Sequence, residues 1–157
     1  MNKAITHFRG PYRWLSNFWP AKVTFDGMEF SSVEHGYQAA KTLDLAVRRQ
    51  IAALPTPGQS KRHGRRLKVR DGWDSMKLVV MEDLLRQKFA DADLRQKLLG
   101  TRDAELVEGN VWGDTFFGVC DGKGENHLGR LLKVIRNELR NKGEKLPLPT
   151  TRGGPQS

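Results

Sequence analysis

Between Lys22 and Lys41 the side-chain period changes from two to about 3.6 with no linker between, and that switch constrains the fold more than any other stretch. Lys22-Val23-Thr24-Phe25 and Met28-Glu29-Phe30 flank Asp26-Gly27, the dipeptide that most strongly signals a two-residue type I′ hairpin. A helix is expected to follow at once, from about Ser32 to Ala53. Ser31 and Glu34 match the S/T-x-x-E capping box, which by itself accounts for Glu34. Glu34, Gln38 and Lys41 also fall within about 60° of one another on a helical wheel, beside an apolar stripe of Val33, Tyr37, Ala40, Val47 and Ile51. A polar ladder along a core-facing stripe is the pattern of a pocket wall, so Glu34 reads as a cap, as a catalytic acid or base, or as both.

The other 3.6-period segments predict further helices. Thr56, Pro57 and Gln59 fit N-cap, N1 and N3 of a helix ending near Val69. A third helix from Gly72 or Asp74 to Phe89 places Trp73, Lys77, Leu84 and Lys88 on one face, with the lysines either snorkelling at the core edge or forming a cationic wall. Asp91 caps a short helix through Leu99 that ends at Gly100. Glu105-Leu106-Val107-Glu108 reads as a strand, and Val111 to Cys120 as a loop feeding another. After Gly122 to Asn126, a last helix carries its core stripe on Leu128, Leu131, Leu132, Ile135 and Leu139. Residues 1–142 are therefore expected to form one domain, and 143–157, rich in Gly, Pro, Lys and Thr, a disordered tail. Within Phe8 to Pro20, Phe8, Phe18 and Trp19 are expected in the core, while Tyr12, Trp14 and Asn17 could stack on and clamp a base.

At 157 residues the chain can bury a real core. A single cysteine, Cys120, excludes an internal disulfide framework and multi-cysteine zinc sites; with no apolar leader or membrane-length run, a cytoplasmic setting is expected. The net charge of +9 implies an anionic partner. Part of it crowds into Lys61, Arg62, Arg65, Arg66, Lys68 and Arg70, which suits a solvated helix face or a phosphate contact.

The four histidines lack metal-ligand spacing, the glycines match neither a dinucleotide fingerprint nor a P-loop, and no serine sits in G-x-S-x-G. Carboxylates remain: Glu34, with Glu108 and Asp114 in a turn-rich segment between aromatics such as Trp112 and Phe116. Such groups stabilise an oxocarbenium-like sugar, position water and, when burial raises their pKa, protonate a leaving group. The residues thus suggest a nucleoside-type substrate held by aromatics and cations and worked on by two acids.

From about Tyr12 to Arg136 the ordered blocks go further. They include Leu15-Ser16-Asn17-Phe18, Asp26-Gly27, Ser32-Val33-Glu34-His35 with Gln38-Ala39-Ala40-Lys41, Thr56-Pro57 with Lys61, Gly64-Arg65, Trp73-Asp74, Lys77 and Lys88-Phe89. They continue through Leu106-Val107-Glu108, Trp112-Gly113-Asp114, Gly118 and Gly124-Glu125-Asn126-His127-Leu128-Gly129. In these blocks the chain resembles the NADAR, or YbiA-like, N-glycosidases. The resemblance implies a single compact α+β domain, mainly helical, with a small N-terminal hairpin and short strands. It also implies hydrolysis of an N-glycosidic bond between a ribose phosphate or ADP-ribose and a nitrogenous base, with no metal and no organic cofactor. Family substrates are riboflavin-pathway ribosylamino-pyrimidine phosphates and ADP-ribosylated guanine in nucleic acid. Carried over, Glu34 and Asp114 are the expected catalytic acids, Trp73 a pocket aromatic, and Asn17, Lys77 and Lys88 polar pocket residues. Tyr12, Gln38, Lys41, Trp112, Phe117, Gly118 and Asn126 complete the expected substrate-binding set. Phe117-Gly118 stands where many members have Trp-Gly, which keeps a stacking face and loses the indole donor. The competing readings are a basic nucleic-acid or ADP-ribose-binding module without catalysis, and an interaction protein with a vestigial pocket. No membrane partner is expected, and oligomeric state is left open.

Overall fold

In the computed structural model, which describes residues 3–144, the hairpin forms as its turn dictates. Strands β2 (Pro20–Phe25) and β3 (Met28–Ser32) pair antiparallel with Phe25 opposite Met28 and Val23 opposite Phe30. Asp26 and Gly27 turn between them at φ 47° and 76°, the left-handed pair a type I′ turn requires. Strand β1 (Ala4–Ile5) pairs in parallel with β4 (Glu105–Leu106), and β5 (Gly109–Asn110) with β6 (Val119–Cys120). Among the described residues all three sheets have two strands, so the mixed α+β core is built mainly by helices.

Helix α1 (Val33–Ala40) follows β3 with no intervening residue, and every one of its residues is buried. It packs against β2, β3 and the helices α2 (Leu45–Ala52), α3 (Pro57–Arg65) and α4 (Trp73–Lys88). Gly36 lets α4 approach: a Cβ there would lie 3.1 Å from a Leu84 methyl. The cap differs from the sequence expectation by one residue. Ser32, not Ser31, is the N-cap, its hydroxyl accepting from the His35 amide at 3.1 Å, so Glu34 is free of capping duty. The Ser32 hydroxyl also lies 2.6 Å from His35 Nδ1, while His35 Nε2 reaches the Leu54 carbonyl at 3.0 Å.

The single helix expected from Ser32 to Ala53 is two. Asp44 accepts from the amides of Ala46 and Val47 and starts α2 afresh. The corner is held by buried Arg48, which donates to the Thr42 carbonyl and to the Asp26 carboxylate, both at 2.8 Å. Helix α3 has the complete Thr56–Gln59 capping box but ends at Arg65, short of Val69. Helix α5 (Ala92–Gly100) is capped by Asp91. Helix α6 (His127–Glu144) buries Leu128, Leu132 and Ile135, half-buries Leu131 and Leu139, and runs two residues into the tail expected from residue 143; the rest of that tail, 145–157, lies outside the described residues. Among the described residues, no helix is long and apolar enough to cross a membrane.

The aromatic segment also sorts differently. Trp14 is core, its indole N–H donating to the Pro11 carbonyl and its ring edge-on to Phe89, so it offers no stacking platform. Phe18, expected in the core, is 41% exposed, because it stands at the mouth of a cavity instead.

Candidate active site

A cavity of about 520 Å³ opens between the start of α1, the segment 8–19, α3 and the loop 108–117. Its floor is apolar, from Phe8, Met81 and Leu128. Three carboxylates from distant parts of the chain line it: Glu34, Glu108 and Asp114.

Glu34 sits one residue into α1, its amide donating to the Asn17 carbonyl at 3.1 Å and its Oε1 accepting from Gln38 Nε2 at 2.7 Å. Burial pushes its carboxyl up; the Gln38 amide, Lys61 and Lys41 pull it back, and Asp114 pushes it further up. Gln38 is itself wedged: its Oε1 is buried without a partner among the described residues and abuts Gly64, where a Cβ would overlap it. Asp114 is held by its own loop. Its Oδ1 accepts from the amides of Phe116 and Phe117, both at 3.0 Å, and Asn110 brackets its backbone through two further bonds. Half-buried Glu108 lies against Gly118, which has no room for a side chain, and its Oε2 meets Asn110 Nδ2 at 3.3 Å. Burial first, and Asp114 second, push the Glu108 carboxyl up to about 7.

Aromatic and cationic groups complete the wall. Tyr37 and Phe117 meet edge to face at 5.4 Å between centroids. At the mouth, Lys61 stands between exposed Trp112 and Phe18, 4.8 and 5.9 Å from their ring centroids. Arg9 and Arg13 also line the cavity, neither in an ion pair among the described residues. Asn17 Oδ1 is buried and unpartnered there, its amide nitrogen facing Met81 sulfur at 3.5 Å, which leaves the carbonyl as an acceptor toward the cavity.

Of the residues expected from sequence, Glu34, Asp114, Asn17, Gln38, Trp112 and Phe117 thus meet in one cavity. The others stand outside its lining. Trp73 packs behind Tyr37 at 5.3 Å, and half-buried Lys41 lies 5.4 Å from the same ring. Lys77 covers Phe116 at 3.9 Å and pairs with Asp74. Lys88 is buried in the core, donating to the Ser16 carbonyl at 2.7 Å, with its amine pushed down to about 7 by burial. Tyr12 accepts from Lys3 near the N-terminus. Gly118 seats Glu108, and Asn126 clamps the β4 edge through the Glu108 amide and the Leu106 carbonyl. Sequence reasoning missed Arg9 and Arg13; their spacing of four in an aromatic, turn-rich stretch was the available signal. Among the described residues, no group of His, Cys, Asp or Glu is set to hold a metal ion.

Comparison with known proteins agrees with this architecture. The chain is 42% identical over 134 residues to the N-glycosidase YbiA of Escherichia coli, covering 82% of each. It is 38% identical over 138 residues to the N-glycosidase Npun_R5314 of Nostoc punctiforme, covering 83% of this chain and 88% of that one. A riboflavin biosynthesis protein of Vibrio vulnificus, VVA0006, is 35% identical, but the match spans only 35% of its length. The solution structure of E. coli YbiA superposes with a TM-score of 0.83 at 34% identity, covering 96% of this chain and 93% of that one. The family model of the NADAR domain matches residues 6–140, and the chain belongs to the NADAR domain family.

Proposed function

We propose that the protein is an N-glycosidase that hydrolyses the bond between a ribosyl phosphate, or an ADP-ribosyl group, and a nitrogenous base. The observation that carries this reading is the convergence of Glu34 and Asp114 in one aromatic-walled cavity large enough for a nucleotide-sized ligand. The relatives named as N-glycosidases support the same reaction class.

Cleavage of the ribosyl C–N bond builds positive charge on the sugar. A carboxylate of the Glu34–Asp114 pair stabilises that charge or directs water to it, and protonation lets the base depart. Tyr37, Phe117 and Trp112 offer stacking faces, and the Asn17 carbonyl an acceptor for a base N–H. Of the cations expected to meet the phosphate, Lys61 of the basic helix lines the cavity and Lys77 and Lys88 do not, so the role falls to Lys61 with Arg9 and Arg13.

The test is release of ribose phosphate from a ribosylamino-pyrimidine phosphate, or of ADP-ribose from an ADP-ribosylated guanine oligonucleotide. Glu34→Gln and Asp114→Asn are each expected to lower the rate by about 10²–10⁴ with the fold intact. Salt-sensitive binding of these ligands by the wild type without product would favour the binding module and overturn the enzymatic reading.

A further inference from the structure

The cavity holds one carboxylate more than the two acids of the proposed function. We propose that Glu108 is the general acid of the site, giving its proton to the departing nitrogen. This assignment rests on the N-glycosidase reading and divides labour within it.

The geometry separates the three carboxylates. Asp114 Oδ1 accepts from two backbone amides at 3.0 Å, which fix that carboxyl to its own loop. Glu34 is the most deeply buried, which pushes its carboxyl up; a short bond from Gln38 at 2.7 Å, with Lys61 and Lys41, pulls it back and fixes where its Oε1 points. Glu108 is half-buried and the least tethered of the three: a single long contact from Asn110 at 3.3 Å reaches Oε2, and Oε1 has no hydrogen-bond partner among the described residues. Glu34 and Glu108 are thus both pushed toward the protonated form, and of the two it is Glu108 whose carboxyl is free to turn its proton toward a leaving group and to exchange it with solvent.

The groups facing Glu108 come from every side of the cavity. Asp114 and Glu34 raise its proton affinity and Lys61 of α3 lowers it. Arg9 and Arg13 line the opposite segment, Tyr37 lies on α1, and His7 lies beside Gly109. Its carboxyl, pushed up to about 7, holds a proton through the lower half of the neutral range and can release it. Two features then appear as parts of one device. Gly118 is side-chain-free because any Cβ would displace the Glu108 carboxyl, and Asn110 ties Glu108 Oε2 to the Asp114 backbone.

In the reaction, the C1′–N bond breaks with its electron pair going to nitrogen, which takes the proton from Glu108. Water adds to C1′ and returns one proton to the Glu108 carboxylate, so the acid is restored and one water is consumed. The device is needed for a poor leaving group such as an exocyclic amine of a pyrimidine or purine.

The test is the pH profile of kcat on a ribosylamino-pyrimidine phosphate for the wild type, Glu108→Gln and Glu108→Asp, with melting curves for each. The wild-type rate should fall as pH rises through about 7, because the required form is the protonated one. Glu108→Gln should be about 10²–10⁴ slower with that alkaline limb gone, and Glu108→Asp should restore a limb and part of the rate. A Glu108→Gln protein that keeps the limb, or loses less than about tenfold, overturns the assignment and leaves the N-glycosidase reading standing. A wild type that releases nothing from any ribosyl or ADP-ribosyl substrate overturns both. Should Glu108→Gln fail to fold, the wild-type profile decides, since a rate flat between about pH 6 and 8.5 rules out an acid of this kind.

Discussion

Gln38 determines where the Glu34 carboxyl points, and Gly64 determines where Gln38 points. The 2.7 Å bond between the two side chains orients one Glu34 oxygen, and the space left by the missing Cβ of Gly64 is filled by the Gln38 amide. Gly64→Ala must therefore push Gln38 off Glu34 or shift α3 away from α1. Overpacking of this kind costs about 1–3 kcal/mol, and misplacing a catalytic group by an ångström can cost about 10² in rate. Gly64→Ala is expected to lose both, whereas Gln38→Ala, which leaves the glycine room, should lose rate with less loss of stability. The double variant should melt close to Gln38→Ala alone, since the collision disappears with the longer side chain; a melting temperature as low as that of Gly64→Ala would show that the strain lies elsewhere. None of this is visible along the chain, because Gly64 and Gln38 look like an ordinary mid-helix glycine and an ordinary polar ladder residue.

At the scale of elements, legibility followed how local the controlling interaction is. The Thr56–Gln59 box and the Asp91 cap are contained within four residues, and both form as read. The break between α1 and α2 was hidden because Val47 and Ile51 continue the apolar period of α1, while the deciding bonds, from Asp44 and from Arg48 to the hairpin turn, involve a side chain inside the pattern and a partner outside it. Lys88 was placed correctly on the face of Trp73, but whether that face meets core or cavity depends on where Ser16 packs. The strand-to-helix switch at Ser32 was legible, one residue out of register. It also carries a prediction, because Ser32 caps the helix that presents Glu34 and Gln38. Ser32→Ala removes the His35 amide's acceptor and the bond to Nδ1, and should destabilise by about 1–2 kcal/mol by denaturant unfolding. The same variant should lower kcat more than it raises KM, since it loosens the catalytic end of α1 and leaves Arg9, Arg13 and Lys61 in place.

Over the whole molecule, the buried ionisable groups give stability a characteristic dependence on pH. Glu108 has a folded-state pKa of about 7, above the ordinary 4.5, so the folded form binds its proton more tightly and the stabilisation is lost as pH rises through that interval. Lys88 is the reverse case: its amine sits at about 7 instead of 10.5, the folded form prefers it neutral, and stability is regained as pH rises from about 7 toward 10.5. Both charges are thus most costly near neutrality, where the protein must keep one to position a wall carbonyl and the other, on the reading above, to deliver a proton. The two contributions separate by substitution. Relative to wild type, Glu108→Gln should grow more stable between about pH 5 and 7 by on the order of 1 kcal/mol per pH unit, less a discount for its partial exposure. Lys88→Met should match or exceed the wild type at pH 6, because an apolar chain of similar length replaces a buried base, even though the Ser16 carbonyl loses its donor. Toward pH 10 the wild type should overtake it, by roughly 1 kcal/mol for each unit climbed. Denaturant unfolding of the three proteins at four pH values measures both slopes, and a Lys88→Met difference that stays constant from pH 6 to pH 10 would show that Lys88 is charged inside the fold throughout.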